Sequence, residues 1–246
     1  MRGLRGILLV LAMTAGSQVQ AAQLFPLADV RLQAGPLLVA QTTNLHYLLA
    51  LNPERLLAPF RREAGLALPA PSYGNWESTG LDGHMGGHYL SALALMYGST
   101  GDAKLLRRLQ YFVEELKRCQ QAHGNGYLGG IPDGQTAWTE LARGQLKVDN
   151  FSLNGRWVPW YNLHKVYAGL RDAYLHAGSS DARDMLVALS DWALTLTAGL
   201  NEAQRQDMLR SEHGGMNEIF ADVAQITGDP RYLALAEQFS HQALLK

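Results

Sequence analysis

The sequence has little cysteine, no cluster of basic residues and no long apolar run. Cys119 is its single cysteine, so internal disulfides cannot stabilise an exported fold. Lys and Arg number 21 against 22 Asp and Glu, and no Lys/Arg block supplies the basic surface that sequence-independent nucleic-acid binding requires. We therefore expect no nucleic-acid partner. The apolar stretch at residues 7–13 is too short to span a membrane, which takes about 20 residues.

The N-terminus has the pattern of a secretory signal. Arg2 and Arg5 precede the apolar stretch, and small and polar residues follow up to Ala22. A charged region, a short apolar region and a small-residue cleavage site together predict a signal peptide over residues 1–22. The mature chain, residues 23–246, is expected to be secreted or periplasmic, with no membrane partner after signal removal.

Beyond the signal, apolar residues recur at three- and four-residue spacing, which predicts an all-α fold. One plan is repeated: an amphipathic helix, a short glycine-containing turn and a second amphipathic helix. It occurs at residues 87–116, 162–194 and 215–244, and an earlier helix pair is expected around residues 36–51 and 53–63.

The turns between paired helices carry helix-start signals. Asp102 is the expected N-cap in the first turn, Ser180 or Asp181 in the second, and Asp229 before Pro230 in the third. Stacked hairpins bury a shared core, and their uneven spacing along this chain favours a toroid with insertions over a short-period solenoid.

Two segments do not fit a plain hairpin repeat. Residues 122–159 form an insertion too long for a simple connection, which indicates a functional segment. Residues 233–246 are apolar and amphipathic and contain no stop signal, so one continuous helix is expected there. We interpret the chain as truncated at its C-terminus.

Polar and aromatic residues collect just before the first helix of each hairpin. The clusters are Trp76, Glu77, Asp82, His84 and His88, then Trp157, Trp160, Tyr161, Asn162 and His164, then Glu212, His213, Asn217 and Glu218. Equivalent helix ends face the same rim of a toroid, so the clusters are expected to converge on one pocket. Aromatic walls with directional polar groups between them suit a sugar.

Several of these residues also fit a structural role. Trp157 and Trp160 could equally pack the insertion against the hairpins, and a lone helical histidine such as His164 is often a core residue. His84 and His88 have the spacing of one edge of a metal site but no third ligand, so no metal site is predicted. Hydrolysis of a glycoside needs two groups about 5–10 Å apart, and the sequence places no such pair, so no catalytic residue is assigned.

Three long motifs carry a specific resemblance: YGNWESTGLDGHMGGHYLSALALMYGSTGD, WVPWYNLHKVYAGLRDAYLHAGS and EHGGMNEIFADVAQITGDPRYL. From about Leu24 the chain resembles the N-terminal half of the β-L-arabinofuranosidases of glycoside hydrolase families 127 and 146. The resemblance implies a partial (α/α)6 barrel and a secreted enzyme that degrades plant arabinose-containing glycans by retaining hydrolysis. In the full-length family it also implies a cysteine thiolate nucleophile and a zinc ion held by one Glu and three Cys.

The resemblance extends only in part to individual residues. His164 and His213 fall where the family has pocket histidines that contact the sugar. The family's acid/base Glu and its Glu-Thr-Cys zinc segment have no counterpart, and Cys119 matches no zinc ligand. We predict no catalytic residue, no metal ligand and no cofactor in this chain. The predicted substrate-binding residues are Trp76, Glu77, Asp82, His84, His88, Tyr161, Asn162, His164, His213 and Glu218.

The favoured hypothesis is a fragment of a secreted glycosidase that keeps one side of a pocket for an oligosaccharide or polysaccharide. One alternative is a non-catalytic carbohydrate-binding protein of helical hairpins. Another is a lyase or epimerase that uses Tyr161 and His164 as acid and base. A helical-repeat interaction protein is disfavoured, because the polar and aromatic residues collect at one helix end.

Overall fold

The structure is a computed structural model that describes residues 24–212 and 215–245. The predicted signal peptide and His213 lie outside the described residues. Helices dominate, which confirms the all-α class. The helices are α1 (Pro36–Ala50), α2 (Pro53–Glu63), α3 (His84–Thr100), α4 (Ala103–His123), α5 (Gly134–Ala142), α6 (Pro159–Ala177), α7 (Ser180–Thr197), α8 (Glu202–Ser211), α9 (Met216–Thr227), α10 (Pro230–Gln238) and α11 (Gln242–Leu245).

Successive hairpins stand side by side in two layers. The first helices α1, α3, α6 and α9 pack next to one another, and the second helices α2, α4, α7 and α10 form the other layer. The pair α3 and α6 is parallel, because Gly87 meets Lys165 near the start of both helices and Gly98 meets His176 near their ends.

Helix α9 runs the same way as α6, because Gly215 meets His164 near the start of both. The N-terminal ends of α3, α6 and α9 therefore lie along one rim, as the hairpin repeat predicted. Helix α1 runs in the opposite direction to α3, because Leu48 near its end accepts a hydrogen bond from Tyr89 and Gln41 near its start donates one to Ser99.

Helices α3 and α6 cross at backbone contact. A Cβ added at Gly87 would lie 2.2 Å from the carbonyl carbon of Lys165, and one at Gly169 would lie 2.7 Å from the carbonyl oxygen of Gly87. Only glycine leaves room for two helix backbones to approach this closely. This contact sets the distance between the first and second polar clusters.

The second helices α4 and α10 are capped by the aspartate directly before each of them, as the sequence of the turns predicted. The Asp102 carboxylate accepts a hydrogen bond from the Lys104 N–H at 2.7 Å, and the Asp229 carboxylate accepts one from Arg231 at 2.9 Å. The expected cap of α7 is wrong by one or two residues. Its N-cap is Ser179, whose hydroxyl accepts a hydrogen bond from the Ala182 N–H, so Ser180 is already helical.

The expected continuous C-terminal helix is also wrong. Helix α10 ends at Gln238 and α11 begins at Gln242. The Gln206 side chain of α8 donates to the carbonyl of Ser240 and accepts from the Gln242 N–H. These two bonds satisfy backbone groups that a continuous helix would have used internally.

The long insertion contains structure of its own. It holds α5 and an antiparallel sheet of the short strands β1 (Val148–Asp149), β2 (Ser152–Leu153) and β3 (Arg156–Trp157). Trp138 of α5 packs 4.9 Å from Trp160, which is buried, so Trp160 has the packing role. Within the described residues no helix is both long and apolar enough to cross a membrane.

Candidate functional site

Helix α3 begins without a capping side chain of its own. Its N-cap is Gly83 in the left-handed conformation, with φ of 95°. The carboxylate of Glu77, from the preceding 3-10 turn Asn75–Ser78, accepts the N–H groups of Gly83 and Met85 at 3.0 Å each. Glu77 is buried and its charge complements the positive end of the helix dipole. It therefore replaces a local cap and fixes the loop to the helix.

The same carboxylate orients His84. The Nδ1 atom of His84 lies 2.7 Å from a Glu77 oxygen and 2.6 Å from the carbonyl oxygen of Leu81. Both neighbours only accept hydrogen bonds, so Nδ1 carries the ring hydrogen. His84 is buried, and its ring lies between those of Trp76 and His88.

Glu77→Gln should lower the free energy of unfolding by about 2 kcal/mol, because the amide NH2 would face a backbone N–H that needs an acceptor. Urea unfolding followed by circular dichroism measures this loss. The control is Glu114→Gln, which changes an exposed carboxylate paired with Arg118 and should alter stability by less than about 0.5 kcal/mol. Equal effects of the two substitutions would contradict the capping role of Glu77.

Asp82 and Asn162 join the first two helix starts. The buried Asp82 carboxylate accepts from the Gly80 N–H at 3.0 Å and pairs with Arg62 at 3.1 Å. The Asn162 side chain, also buried, donates to the carbonyl of Asp82 at 2.9 Å. This bond links α6 to the loop before α3 across 80 residues of sequence.

Helix α6 is also capped from a distant part of the chain. Its N-cap Val158 has φ of 36° and supplies no side-chain oxygen. The buried carboxylate of Glu212 instead accepts the N–H groups of Trp160 and Tyr161. Burial raises the pKa of Glu212 to about 7, although the two N–H groups favour the charged form.

The rim at the start of α6 holds a compact polar group. His164 Nδ1 lies 3.2 Å from the ammonium nitrogen of Lys165, and His164 Nε2 lies 3.8 Å from a Glu218 oxygen of α9. The Lys165 ammonium stands 4.4 Å from the centre of the Tyr161 ring. Gly215, with φ of 85°, lies so close to His164 that an added Cβ would be 2.6 Å from Nε2. The starts of α6 and α9 therefore meet at His164.

His164 is a neutral imidazole at physiological pH. Burial, with a smaller contribution from the Lys165 charge, lowers the pKa of His164 to about 4. Because Nδ1 faces the lysine donor, Nε2 carries the hydrogen. That Nε2 atom is buried and has no hydrogen-bond partner among residues 24–212 and 215–245, so it can donate to a ligand.

The exposed members of the predicted set lie near this group. His88 is exposed on α3 and follows Gly87, whose backbone meets that of Lys165 at the start of α6. Partial burial, and then the Lys165 charge, lower the pKa of His88. Trp76 and Tyr161 are also exposed, with 62% and 36% of their surfaces accessible. The first two clusters and the described part of the third thus border one rim.

Comparison with models of known protein families assigns the chain to a family. The GH127 catalytic domain of β-L-arabinofuranosidases matches residues 29–246. The chain belongs to the GH127 family. Its fold is similar to the crystal structure of a GH127 β-L-arabinofuranosidase from Geobacillus stearothermophilus T6, with a TM-score of 0.53 at 18% identity. That match covers 77% of this chain and 27% of the solved one. No curated protein matches the chain.

The predicted site residues of this GH127 chain divide by burial. Glu77, Asp82, His84 and Asn162 are buried and bonded to backbone, so they shape the rim. Trp76, His88, Tyr161, His164 and Glu218 are exposed or half-buried on it. Sequence reasoning missed Lys165, although it follows His164 directly in YNLHK and bonds to its ring.

The described part of this GH127 chain does not fit the zinc site that the resemblance implies. Among residues 24–212 and 215–245 no three His, Cys, Asp or Glu side chains are grouped so that they could hold a metal ion. Cys119 is buried in α4, and burial raises the pKa of its thiol to about 12. A thiol in that environment is protonated and inert, so it fits neither a zinc ligand nor a nucleophile.

Proposed function

We propose that this GH127 chain forms the sugar-binding side of a secreted or periplasmic β-L-arabinofuranosidase acting on plant arabinose-containing glycans. The observation that supports this most is the group around His164, where a buried donor with no partner in the described part of the chain meets polar groups from neighbouring helices. The named activity of the solved GH127 relative and the family match support the choice of sugar.

The chemistry of the rim suits a neutral polyol. The Nε2–H of His164 and the Lys165 ammonium are donors for sugar hydroxyl oxygens, and the Glu218 carboxylate is an acceptor for sugar O–H groups. Exposed rings at Trp76 and Tyr161 offer apolar surface for the C–H faces of the sugar. Because His164 stays neutral above about pH 5, binding should not change between pH 5 and 8 through this residue.

The 246-residue chain is proposed to bind this sugar without hydrolysing it. Its single thiol is buried and protonated, and the buried carboxylates Glu77 and Glu212 are engaged with backbone N–H groups. An aryl β-L-arabinofuranoside therefore serves as a test of turnover. Zinc-dependent release of the aryl group by this chain alone would overturn the assignment of binding without catalysis.

His164→Ala should weaken binding of methyl β-L-arabinofuranoside at least tenfold, because it removes the free donor at the rim, and tenfold corresponds to about 1.4 kcal/mol. Isothermal titration calorimetry measures the affinity. His176→Ala, at the opposite end of α6, is the matched control and should bind like the wild type. Equal affinities of wild type and His164→Ala, or no binding by either, would contradict the proposal.

A further inference from the structure

The rim residues of α6 lie in its first two turns, so their positions depend on how this helix begins. They are Tyr161, His164 and Lys165, and the Lys165 ammonium contacts both of the others. The N-cap residue Val158 has φ of 36°. A positive φ is rare for a β-branched residue, and such strain persists only where the surrounding structure imposes it. The start of α6 is therefore held from outside the helix.

The end of α8 provides this support. The Val158 N–H donates to the carbonyl of Phe151 at 2.9 Å, and the Phe151 N–H donates to the carbonyl of Ser211 at 3.2 Å. Ser211 is the last residue of α8. The next residue is Glu212, whose carboxylate accepts the N–H groups of the second and third residues of α6. Two consecutive residues at the end of α8 thus hold both the residue before α6 and the helix itself.

A residue shortly after Glu212 contacts the His164 ring. Gly215 follows Glu212 by three positions, and a Cβ added to it would lie 2.6 Å from His164 Nε2. Glu212 and Gly215 therefore contact α6 at its start and again at His164. Because backbone this close to a ring cannot move without changing the surroundings of that ring, a change at Glu212 is expected to reach His164.

The Glu212 carboxyl group changes its hydrogen-bonding capacity when it titrates. Burial raises its pKa to about 7 and the two N–H groups oppose this, while no charged side chain of residues 24–212 and 215–245 is among the causes. The ionised group is an acceptor at both oxygens, whereas the protonated group carries a hydrogen on one of them. The start of α6 therefore has two good acceptors above neutral pH and one below it.

We propose that Glu212 is a positioning residue, which sets the rim residues of α6 from the end of α8 and weakens sugar binding when it is protonated. Its effect on affinity rests on the proposed function. Its effect on the His164 ring does not, because the contacts of Glu212 and Gly215 with α6 are present without a sugar. Glu212 acts through backbone N–H groups and is assigned no contact with the ligand.

The first test needs no ligand. Nuclear magnetic resonance follows the His164 ring from about pH 5.5 to pH 8.5, where His164 itself stays neutral because its pKa is about 4. We expect the ring signals of wild type to shift with a midpoint of about pH 7 and those of Glu212→Gln to stay constant. Glu237→Gln, at an exposed carboxylate of α10, is the control and should shift like wild type.

Other charged groups also act on the His164 ring, and Glu212→Gln separates their effects from that of Glu212. They are Lys165, Glu218, Arg171 and His88. A shift that any of them causes would remain in Glu212→Gln, because the substitution leaves all four in place.

The second test measures affinity for methyl β-L-arabinofuranoside by isothermal titration calorimetry at about pH 6 and about pH 8. Coupling between two positions is typically about 5–150-fold, so we expect wild type to bind about tenfold more tightly at the higher pH. Glu212→Gln has one acceptor oxygen at either pH and should keep the weaker affinity throughout. Glu237→Gln should behave like wild type.

The outcomes separate the two proposals. A wild-type His164 ring that does not shift near pH 7, or a shift that remains in Glu212→Gln, overturns the role of Glu212 whatever the sugar affinity. A shift that is lost in Glu212→Gln, with no sugar binding by either protein, supports the coupling and overturns the proposed function. Equal wild-type affinity at both pH values overturns the effect on binding. The wild-type measurements decide the proposal even if Glu212→Gln fails to fold.

Discussion

Gly87→Ala is expected to lower the free energy of unfolding by about 3 kcal/mol or more, the upper range for overpacking a tight contact. The new Cβ would lie 2.2 Å from the carbonyl carbon of Lys165 and 2.3 Å from its oxygen. Both atoms belong to the backbone of α6, so no side chain can rotate away. The loss should appear even though alanine favours a helix over glycine by about 1 kcal/mol.

Gly98→Ala in the same helix is the matched control. Its Cβ would meet side-chain carbons of Leu27 and His176 at 3.3 and 3.4 Å, which small shifts can accommodate. Helix propensity should offset that strain, leaving stability within about 1 kcal/mol of wild type. Urea unfolding compares the three proteins. A loss below about 1 kcal/mol in Gly87→Ala would contradict backbone contact between α3 and α6.

The caps show which parts of the fold the sequence could predict. Asp102 and Asp229 cap helices that begin directly after them, so a local pattern was enough. The starts of α3, α6 and α9 instead have left-handed N-cap residues without a capping side chain: Gly83, Val158 and Gly215. For α6 the acceptor is Glu212, 52 residues away from Trp160. No local pattern could assign that bond.

The proximity of the polar clusters, although not their function, could be predicted from their positions along the chain. Three clusters before three parallel helices predicted a common rim, and Asn162 and Glu218 show contacts between them. Burial was not predictable, because Glu77 and Trp76 are neighbours in sequence and differ from 3% to 62% exposed. Lys165 was missed because a lysine on a helix is usually a solvated residue, and only the structure places its ammonium beside His164.

Glu212→Gln is expected to change how stability depends on pH. Burial raises the pKa of Glu212 from 4.5 to about 7 in the folded state. Between these values the folded protein holds a proton that the unfolded chain has lost, so the contribution of Glu212 to stability falls as pH rises through this window. The fall should be about 3 kcal/mol in total and should cease above the folded pKa. Glutamine does not titrate and should remove it.

The lowered pKa of His164 changes stability with pH in the direction opposite to that of Glu212. Its folded pKa of about 4 lies below the ordinary 6.5, so the unfolded chain binds the extra proton and stability rises with pH between these values. The contribution of His164 is common to both proteins and cancels in their difference, so Glu212→Gln should become steadily more stable relative to wild type where the two windows overlap. Urea unfolding from about pH 4.5 to pH 7.5 measures the difference. Glu237→Gln, at an exposed carboxylate of α10, should run parallel to wild type. A constant difference between wild type and Glu212→Gln would show that the buried carboxyl group is ionised throughout, held by the N–H groups of Trp160 and Tyr161.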